Sequence, residues 1–299
     1  MKHKKAKVLK CIYISASLAV IFASITVIIS NCFLTVTHYD LNFKTLPSEF
    51  DRFRIVQISD LHNVRFSSQN KSLLNKVMAQ NADIVVLTGD MICAGKEDKS
   101  GFLKFAQQLA CNCSTYYVDG NHEQAMEQKS HELFIQQLES LGITVLNNKS
   151  VKLEKNSSSI QIYGLVIPAM YYADRRAASN SKNYFFSLGD MQNVFKKRQN
   201  EFSILLTHNP VYFYTYAYWG ADLTLCGHLH GGMVRTINGK GIFSPEKTLF
   251  PKYDSGVFEN NSKIMVVSRG LGNGNLGFRL LNCPEIVSIT INQGGRDPT

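Results

Sequence analysis

The sequence predicts an α/β protein, on three observations. Short, almost wholly apolar segments such as FRIVQIS (53–59) and DIVVLTG (83–89) read as buried strands. Segments with apolar residues at helical spacing, such as SSQNKSLLNKVMAQ (67–80), lie between them. The composition, 44% hydrophobic and 18% charged over 299 residues, is that of a chain able to bury a core rather than of a disordered one.

The first residues are different in kind. MKHKKAKVLK (1–10) holds five lysines and no acid, and reads as a basic tail. CIYISASLAVIFASITVIISNCFLTVT (11–37) follows without a charge. A bilayer core needs about 20 apolar residues in a helix, so this run is long enough to span as a signal-anchor. A cleaved signal peptide fits lysines before an apolar stretch equally well in outline, but the run is long and no small-x-small cleavage site closes it. Asn31 is also a poor residue before a lipoprotein-type cut at Cys32. Retained, the anchor would keep the lysines in the cytoplasm and place the C-terminal body outside. Residues 38–52 read as a linker.

Past the linker, strands and helices alternate. FRIVQIS, the helix at 67–80 with Leu73, Leu74, Val77 and Met78 on one face, and DIVVLTG make a βαβ unit. GFLKFAQQLA (101–110) reads as a helix, TYYVDG (115–120) as a strand, and 123–142 as one long amphipathic helix stopped by Gly142. Strand-like pieces at 143–154 and 160–167 flank the polar turn EKNSSS. FSILLTH (202–208), ADLTLCGH (221–228), KIMVVSRG (263–270) and EIVSITIN (285–292) complete the strands. RGLGNGNLGFR (269–279) imitates a phosphate-cradling loop, but no helix-forming run follows it, and it reads as a structured surface loop. PVYFYTYAYW (210–219) suits an apolar groove, the membrane interface or plain core packing. Five cysteines lie outside the anchor, an odd number. CNC (111–113) lacks the Cys-x-x-Cys spacing of a metal or redox element, so these residues and Cys226 read as small buried hydrophobes.

Polar residues gather just past the strands. Asp60 and His62 follow the first, Asp90 the second, and Asn121, His122 and Glu123 the third. His208 closes another, and His228 and His230 stand beyond ADLTLC. In open α/β sheets ligands bind beyond the carboxyl ends of the strands. Singly, an aspartate there caps a helix or forms a turn, and a histidine is an ordinary loop residue. Jointly, packing does not account for them: five of the eight histidines stand at strand ends. His3, His38 and His131 do not. Imidazole and carboxylate without thiolate suit Mn, Fe, Zn, Ni or Co. The donors exceed what one four-coordinate ion takes, and two ions about 3.5–4 Å apart are the usual hydrolytic pair for phosphate esters. In GHLHGG, His228 and His230 lie roughly 6–7 Å apart if extended. That spacing allows them to share one metal, straddle two, or line a pocket.

DLH, GD, GNHE, TH and GHLH, in that order, resemble the calcineurin-like metallophosphoesterases from about residue 53 to the C-terminus. The segment SPEKTLFPKYDSGVFE after GHLHGG, and later SRGLG, is similar to the membrane-associated bacterial branch. Leu229 and Met233 depart from the small polar residue and the glutamine common there, and neither is a ligand position. The resemblance implies a four-layer α-β-β-α sandwich of two mixed β-sheets, here behind an N-terminal transmembrane helix, with residues 53–299 as the phosphoesterase domain. It implies that Asp60, His62 and His230 hold one divalent metal ion and Asn121, His208 and His228 a second, with Asp90 bridging. His122 would ligate neither and act at the leaving group or phosphate, with Glu123 orienting it or capping a helix. It further implies attack of a metal-bridging hydroxide on a phosphomonoester, phosphodiester or pyrophosphate bond. The anchor favours a lipid-linked or cell-envelope substrate.

Two rivals are weighed against that hydrolase. A non-catalytic scaffold of the same fold would have lost ligands, and every expected position is filled. A nuclease would carry a basic groove. The formal charge of +9 invites that reading, yet beyond the decapeptide 27 basic side chains meet 23 acidic ones, an ordinary surface.

Overall fold

The structure is a computed structural model and describes residues 2–95, 98–172, 185–196, 198, 201–273 and 277–294. Helix α1 (Lys2–Cys32) covers most of the uncharged run, and Ile12–Cys32 has the length and hydropathy to cross a membrane. Ile14, Phe22 and Ile28 along it are exposed rather than packed on the body.

The helix ends earlier than the hydropathy suggests. Thr35–Phe43 is strand β1, so residues read as the end of the anchor and the start of the linker belong to the folded body. TVTHYDLNF has the β-branched and aromatic residues that suit a pleated edge. It pairs in parallel with β12 (Glu285–Gln293), from Thr35 opposite Glu285 to Phe43 opposite Gln293. Leu41 and Phe43 enter the core, and the Phe43 ring stands edge-on to Phe202 at 5.0 Å. The rest of the supposed linker holds a short 3-10 turn, Ser48–Phe50, with Phe50 buried.

Two six-stranded mixed sheets make the body. In the first, β1 and β12 lie beside β2 (Phe53–Ile58), β3 (Ile84–Thr88), β4 (Ser114–Val118) and β5 (Thr144–Val145), in that order. β2 to β5 run parallel, and β12 is antiparallel to β2. The second sheet runs from β6 (Lys149–Lys155) through β7 (Ser158–Leu165), β8 (Ser203–Thr207), β9 (Leu223–Cys226) and β11 (Lys263–Val267) to β10 (Gly256–Asn260). Ile55, Val86 and Ile289 of one sheet meet Ile162, Leu206 and Leu225 of the other in the central core. Every residue of β3, β8 and β9 is buried, which explains why these strands read as continuous apolar runs.

Helices cover both outer faces. α2 (Lys71–Met78) contributes Leu73 and Val77, and α3 (Ser100–Ala110) contributes Phe102, Phe105 and Leu109. The helix expected over 123–142 is two: α4 (Asn121–Gln124) and α5 (Gln128–Ser140), the latter burying Phe134 and Leu138. The backbone breaks at Glu127, which is extended, and this frees the first turn to follow the end of β4. Gly142 does stop α5, in the left-handed conformation. Over the second sheet lie α6 (Leu188–Phe195), with a Ser187/Asp190 capping box, and α7 (Phe213–Trp219). The aromatic stretch is thus chiefly core: Phe213, Tyr216 and Trp219 are buried, while Tyr214 and Tyr218 face outward. The result is the α-β-β-α sandwich.

Two smaller expectations change. Cys111 is exposed and Cys113 half-buried, whereas Cys226 is buried as expected. The glycine-rich segment 269–279 has Gly274–Leu276 outside the described residues, but Gly270, Leu271 and Arg279 are buried rather than superficial.

Because β1 carries Leu41 and Phe43 into the core, a chain starting at residue 44 should lose roughly 3–6 kcal/mol relative to one starting at residue 33. Thermal and urea melts of the two truncations check this, and equal stabilities would return 35–43 to the status of a linker.

Candidate metal centre

Five strands end at one edge of the sandwich and hand over the polar residues. Asp60 and His62 follow β2, Asp90 follows β3, and Asn121 opens α4 just past β4. His208 follows β8, and His228 and His230 follow β9. Asp60, His62, Asp90, His208, His228 and His230 are all buried. Turning the chain so abruptly requires unusual backbone: Asp60, His62, Asp90, His228 and His230 have φ between 49° and 74°. Non-glycine residues held there cost on the order of 1–3 kcal/mol each and persist only where the surroundings over-determine them.

The side chains converge in two groups whose ligand atoms lie within 4.8 Å of one another, Asp60 with His62 and His230, and Asp90 with His208 and His228. Asp90 sits between the groups. Its Oδ2 lies 3.1 Å from His208 Nε2 and 3.7 Å from His62 Nε2. Asp60 Oδ1 likewise lies 3.5 Å from His230 Nε2 and 3.8 Å from His208 Nε2. The backbone N–H of His228 donates to both oxygens of Asp60 at 3.1 Å.

Outer hydrogen bonds decide which nitrogen each imidazole presents. His208 Nδ1 donates to the Thr88 carbonyl at 2.7 Å, and His230 Nδ1 to the Gly272 carbonyl at 3.2 Å. His62 Nδ1 lies 3.7 Å from the Cys93 sulfur. In these three rings Nδ1 is engaged from outside and Nε2 faces the centre. His122 differs: its Nδ1 accepts the Ala94 N–H at 3.0 Å, so Nε2 carries the proton, and its side chain is 16% exposed.

Charge is unevenly matched. Burial, opposed by Asp90, pushes the His62 imidazole down to about 3, and burial with the neighbouring His62 holds His230 well below its usual value. Burial would lower His208 too, but Asp90 and Asp60 outweigh it and raise the ring to about 10. Burial also works against the Asp90 charge, yet His208, His122 and His62 keep its carboxyl well below the ordinary range. Asp60 is raised by burial, with His208 opposing. The site thus draws positive charge to the space between its carboxylates and its neutral imidazoles.

Divalent metal fits that space. His62 Nε2 and His230 Nε2 face each other at 3.2 Å, close enough for both to bind one cation. Two nitrogens each about 2.0–2.1 Å from one ion at near a right angle stand about 3 Å apart. Asn121 Oδ1 is buried with no hydrogen-bond partner among the described residues, as a donor reserved for an ion would be.

Of the two roles read for Glu123, the structure gives it the helix cap, closing a capping box at the start of α4. Its carboxylate accepts the N–H groups of Asp90, Met91, Ile92 and Gly120 at 2.8–3.2 Å, fastening the turn after β3 to the turn after β4. Burial, with Asp90 next, raises its carboxyl to about 8, against the lowering by the amides of Gly120 and Asp90. Cys93 groups with His62 and His122. Glu246 Oε1 lies 3.1 Å from His228 Nε2. Arg279, wholly buried, donates to the carbonyls of Gly272 and Arg269 behind His230. Its own backbone N–H donates to Asn31 Oδ1 at the end of α1, at 2.9 Å. Glu246 lies in the segment SPEKTLFPKYDSGVFE and Arg279 ends RGLGNGNLGFR, but neither segment points to a role for its charged residue at the centre.

A two-sheet sandwich with this donor set at its strand ends is the architecture of a metal-dependent phosphoesterase. The chain belongs to the calcineurin-like phosphoesterase family, whose model matches residues 53–232. Among curated relatives, the uncharacterized metallophosphoesterase YkoQ of Bacillus subtilis is 23% identical over 237 residues, 79% of this chain and 82% of YkoQ. The phosphodiesterase YaeI of Escherichia coli is 26% identical, with 80% and 82% covered. The UDP-2,3-diacylglucosamine pyrophosphatase LpxG of Chlamydia trachomatis is 26% identical, with 85% and 88% covered.

A Cβ on Gly227 would overlap the Ser59 hydroxyl and the Asp60 carboxylate. Gly227→Ala should therefore weaken divalent-metal binding by about 10–100-fold, the usual cost of disturbing what holds a ligand in place. Mn²⁺ titration beside a thermal melt measures it. Wild-type affinity in a folded variant would show that Asp60 tolerates displacement.

Proposed function

We propose that this chain is a membrane-anchored, dinuclear phosphoesterase that hydrolyses a phosphodiester or pyrophosphate bond in a lipid-linked or cell-envelope substrate. The observation that carries it is the placing of Asp90 between two buried donor groups, within 4 Å of a histidine from each. In this reading Asp60, His62 and His230 hold one ion, Asn121, His208 and His228 hold the other, and Asp90 serves both. Bound cations would supply a nucleophilic water at neutral pH and stabilise charge on the phosphoryl group.

The chain's own residues do the rest. Glu123 and the strained turns keep the ligands in register before any substrate arrives, so little reorganisation is needed during reaction. His122 is the most exposed imidazole of the set, and its Nε2–H is available to donate a hydrogen bond to the departing oxygen or to a phosphate oxygen. A positioned hydrogen bond to charge that develops in the transition state contributes about 10²–10³-fold. Asn31 accepts from the Arg279 backbone N–H and donates to the Arg279 carbonyl, so the end of α1 lies one side chain away from the residues behind His230. A substrate held in the bilayer by an acyl or prenyl chain would find its phosphate close to the centre, and the likeness to LpxG supports that class.

Full-length protein in lipid nanodiscs, assayed with Mn²⁺ on mono-, di- and pyrophosphate esters, tests the reading. A lipid-linked pyrophosphate or phosphodiester should be turned over fastest. EDTA should abolish turnover and added Mn²⁺ restore it. His122→Ala should keep both metals, counted by mass spectrometry, and lose about 10²–10³-fold in kcat. Loss of metal in that variant would make His122 a ligand.

A further inference from the structure

Four histidines line the two donor groups, and one is turned the other way. His62, His208 and His230 have their Nδ1 atoms engaged from outside, with Nε2 directed to the centre. His228 has its Nε2 engaged instead, 3.1 Å from the Glu246 carboxylate, with both side chains only 6% exposed. We propose that Glu246, outside the family's ligand motif, is the positioning residue that fixes His228 as its Nε2–H tautomer and so presents Nδ1 to the second ion. The proposal rests on the dinuclear reading for the identity of the ion and on hydrogen-bond geometry alone for the tautomer.

The local chain explains why this carboxylate is rigid enough for the task. Glu246 sits at the tip of a small hairpin in which Phe243 pairs with Leu249. The hairpin is closed by Ser244 N–H to the Thr248 carbonyl at 3.0 Å, Lys247 N–H to the Ser244 carbonyl at 2.9 Å, and paired Ser244 and Thr248 hydroxyls at 2.6 Å. Ser244 itself is buried, so the turn is seated in the body rather than waving above it. The fully buried Tyr172 also stands edge-on to the His228 ring, centroids 4.8 Å apart. The His228 backbone has the largest φ of the ligand set, 74°. A carboxylate accepting the outer N–H of a metal-binding histidine fixes ring and tautomer and raises the basicity of the nitrogen that ligates.

Two readouts test this on the full-length protein, with Glu246→Ala and Glu246→Gln as variants. Long-range ¹H–¹⁵N spectra of histidine-labelled, metal-stripped protein should show His228 as the Nε2–H tautomer in wild type and in Glu246→Gln, whose amide oxygen still accepts. That preference should be lost in Glu246→Ala. Mn²⁺ titration should then find two ions in wild type, with one of them bound about 10–100-fold more weakly in Glu246→Ala and nearer to wild type in Glu246→Gln. An unchanged tautomer or unchanged Mn²⁺ binding in a folded Glu246→Ala protein would overturn the role of Glu246 and leave the dinuclear reading standing. Fewer than two ions in wild type would overturn the dinuclear reading, and with it the presentation of His228 to a second ion.

Discussion

The site depends on the close approach of two turns. The turn after β3 and the turn after β4 touch backbone to backbone: a Cβ on Gly89 would collide with Gly120, and one on Gly120 with Asp90. Glycine is required at both positions for contact alone, and Gly89 also sits at φ 85°. Glu123 then fastens the turns with one carboxylate and four amide donors. Asp90 can stand between the donor groups only because the chains carrying Asn121 and His122 have been drawn so near. Its Oδ1 receives the His122 N–H at 2.8 Å, which leaves Oδ2 facing the imidazoles of His62 and His208.

That arrangement concentrates strain and charge in the same few residues, and each makes sense of the other. Left-handed backbone at five ligand positions and like groups packed in a dry cleft are separately unfavourable. Both are tolerated because the two sheets behind them are filled with apolar side chains that do not yield, from Ile55 and Val86 to Leu206 and Leu225. The unbalanced charge suits the cleft to a divalent cation. Burial holds His62 and His230 below their usual values, while Asp90 and Asp60 raise His208 against the same burial. A divalent ion answers all of these groups at once, where protons answer them one at a time.

Much of this was legible in the sequence, because the fold places its chemistry where apolar runs stop. Strands buried on both sides, such as β3 and β8, read unmistakably, and the polar residue after each was the ligand candidate. What stayed hidden were features with no contrast to their surroundings. β1 was masked by the apolar helix running straight into it, since hydropathy does not distinguish a bilayer-length run from a β-branched strand at its end. The break between α4 and α5 was masked by helical periodicity that continues across it. Glu246 and Arg279 look like ordinary surface charges. Only the tertiary fold carries the first to His228 and buries the second behind His230.

The same logic connects α1 to the centre. Arg279 is a large cation with no access to water, and burial lowers its pKa to about 10. It stays in place because carbonyls of Gly272 and Arg269 accept from its guanidinium while Asn31 accepts from its backbone. Asn31 also receives a hydrogen bond from Asn273, and its own amide donates to the Arg279 carbonyl. The last turn of the apolar helix is thus tied on both sides to the loop whose Gly272 carbonyl orients His230. A helix serving only as a tether would need no such attachment, for a flexible connection holds a domain at a surface equally well. Polar side chains at the end of an apolar helix, spent on the loop that buttresses a metal ligand, fix where the centre stands relative to the helix axis. That fixed geometry is what the proposed bilayer-held substrate would require.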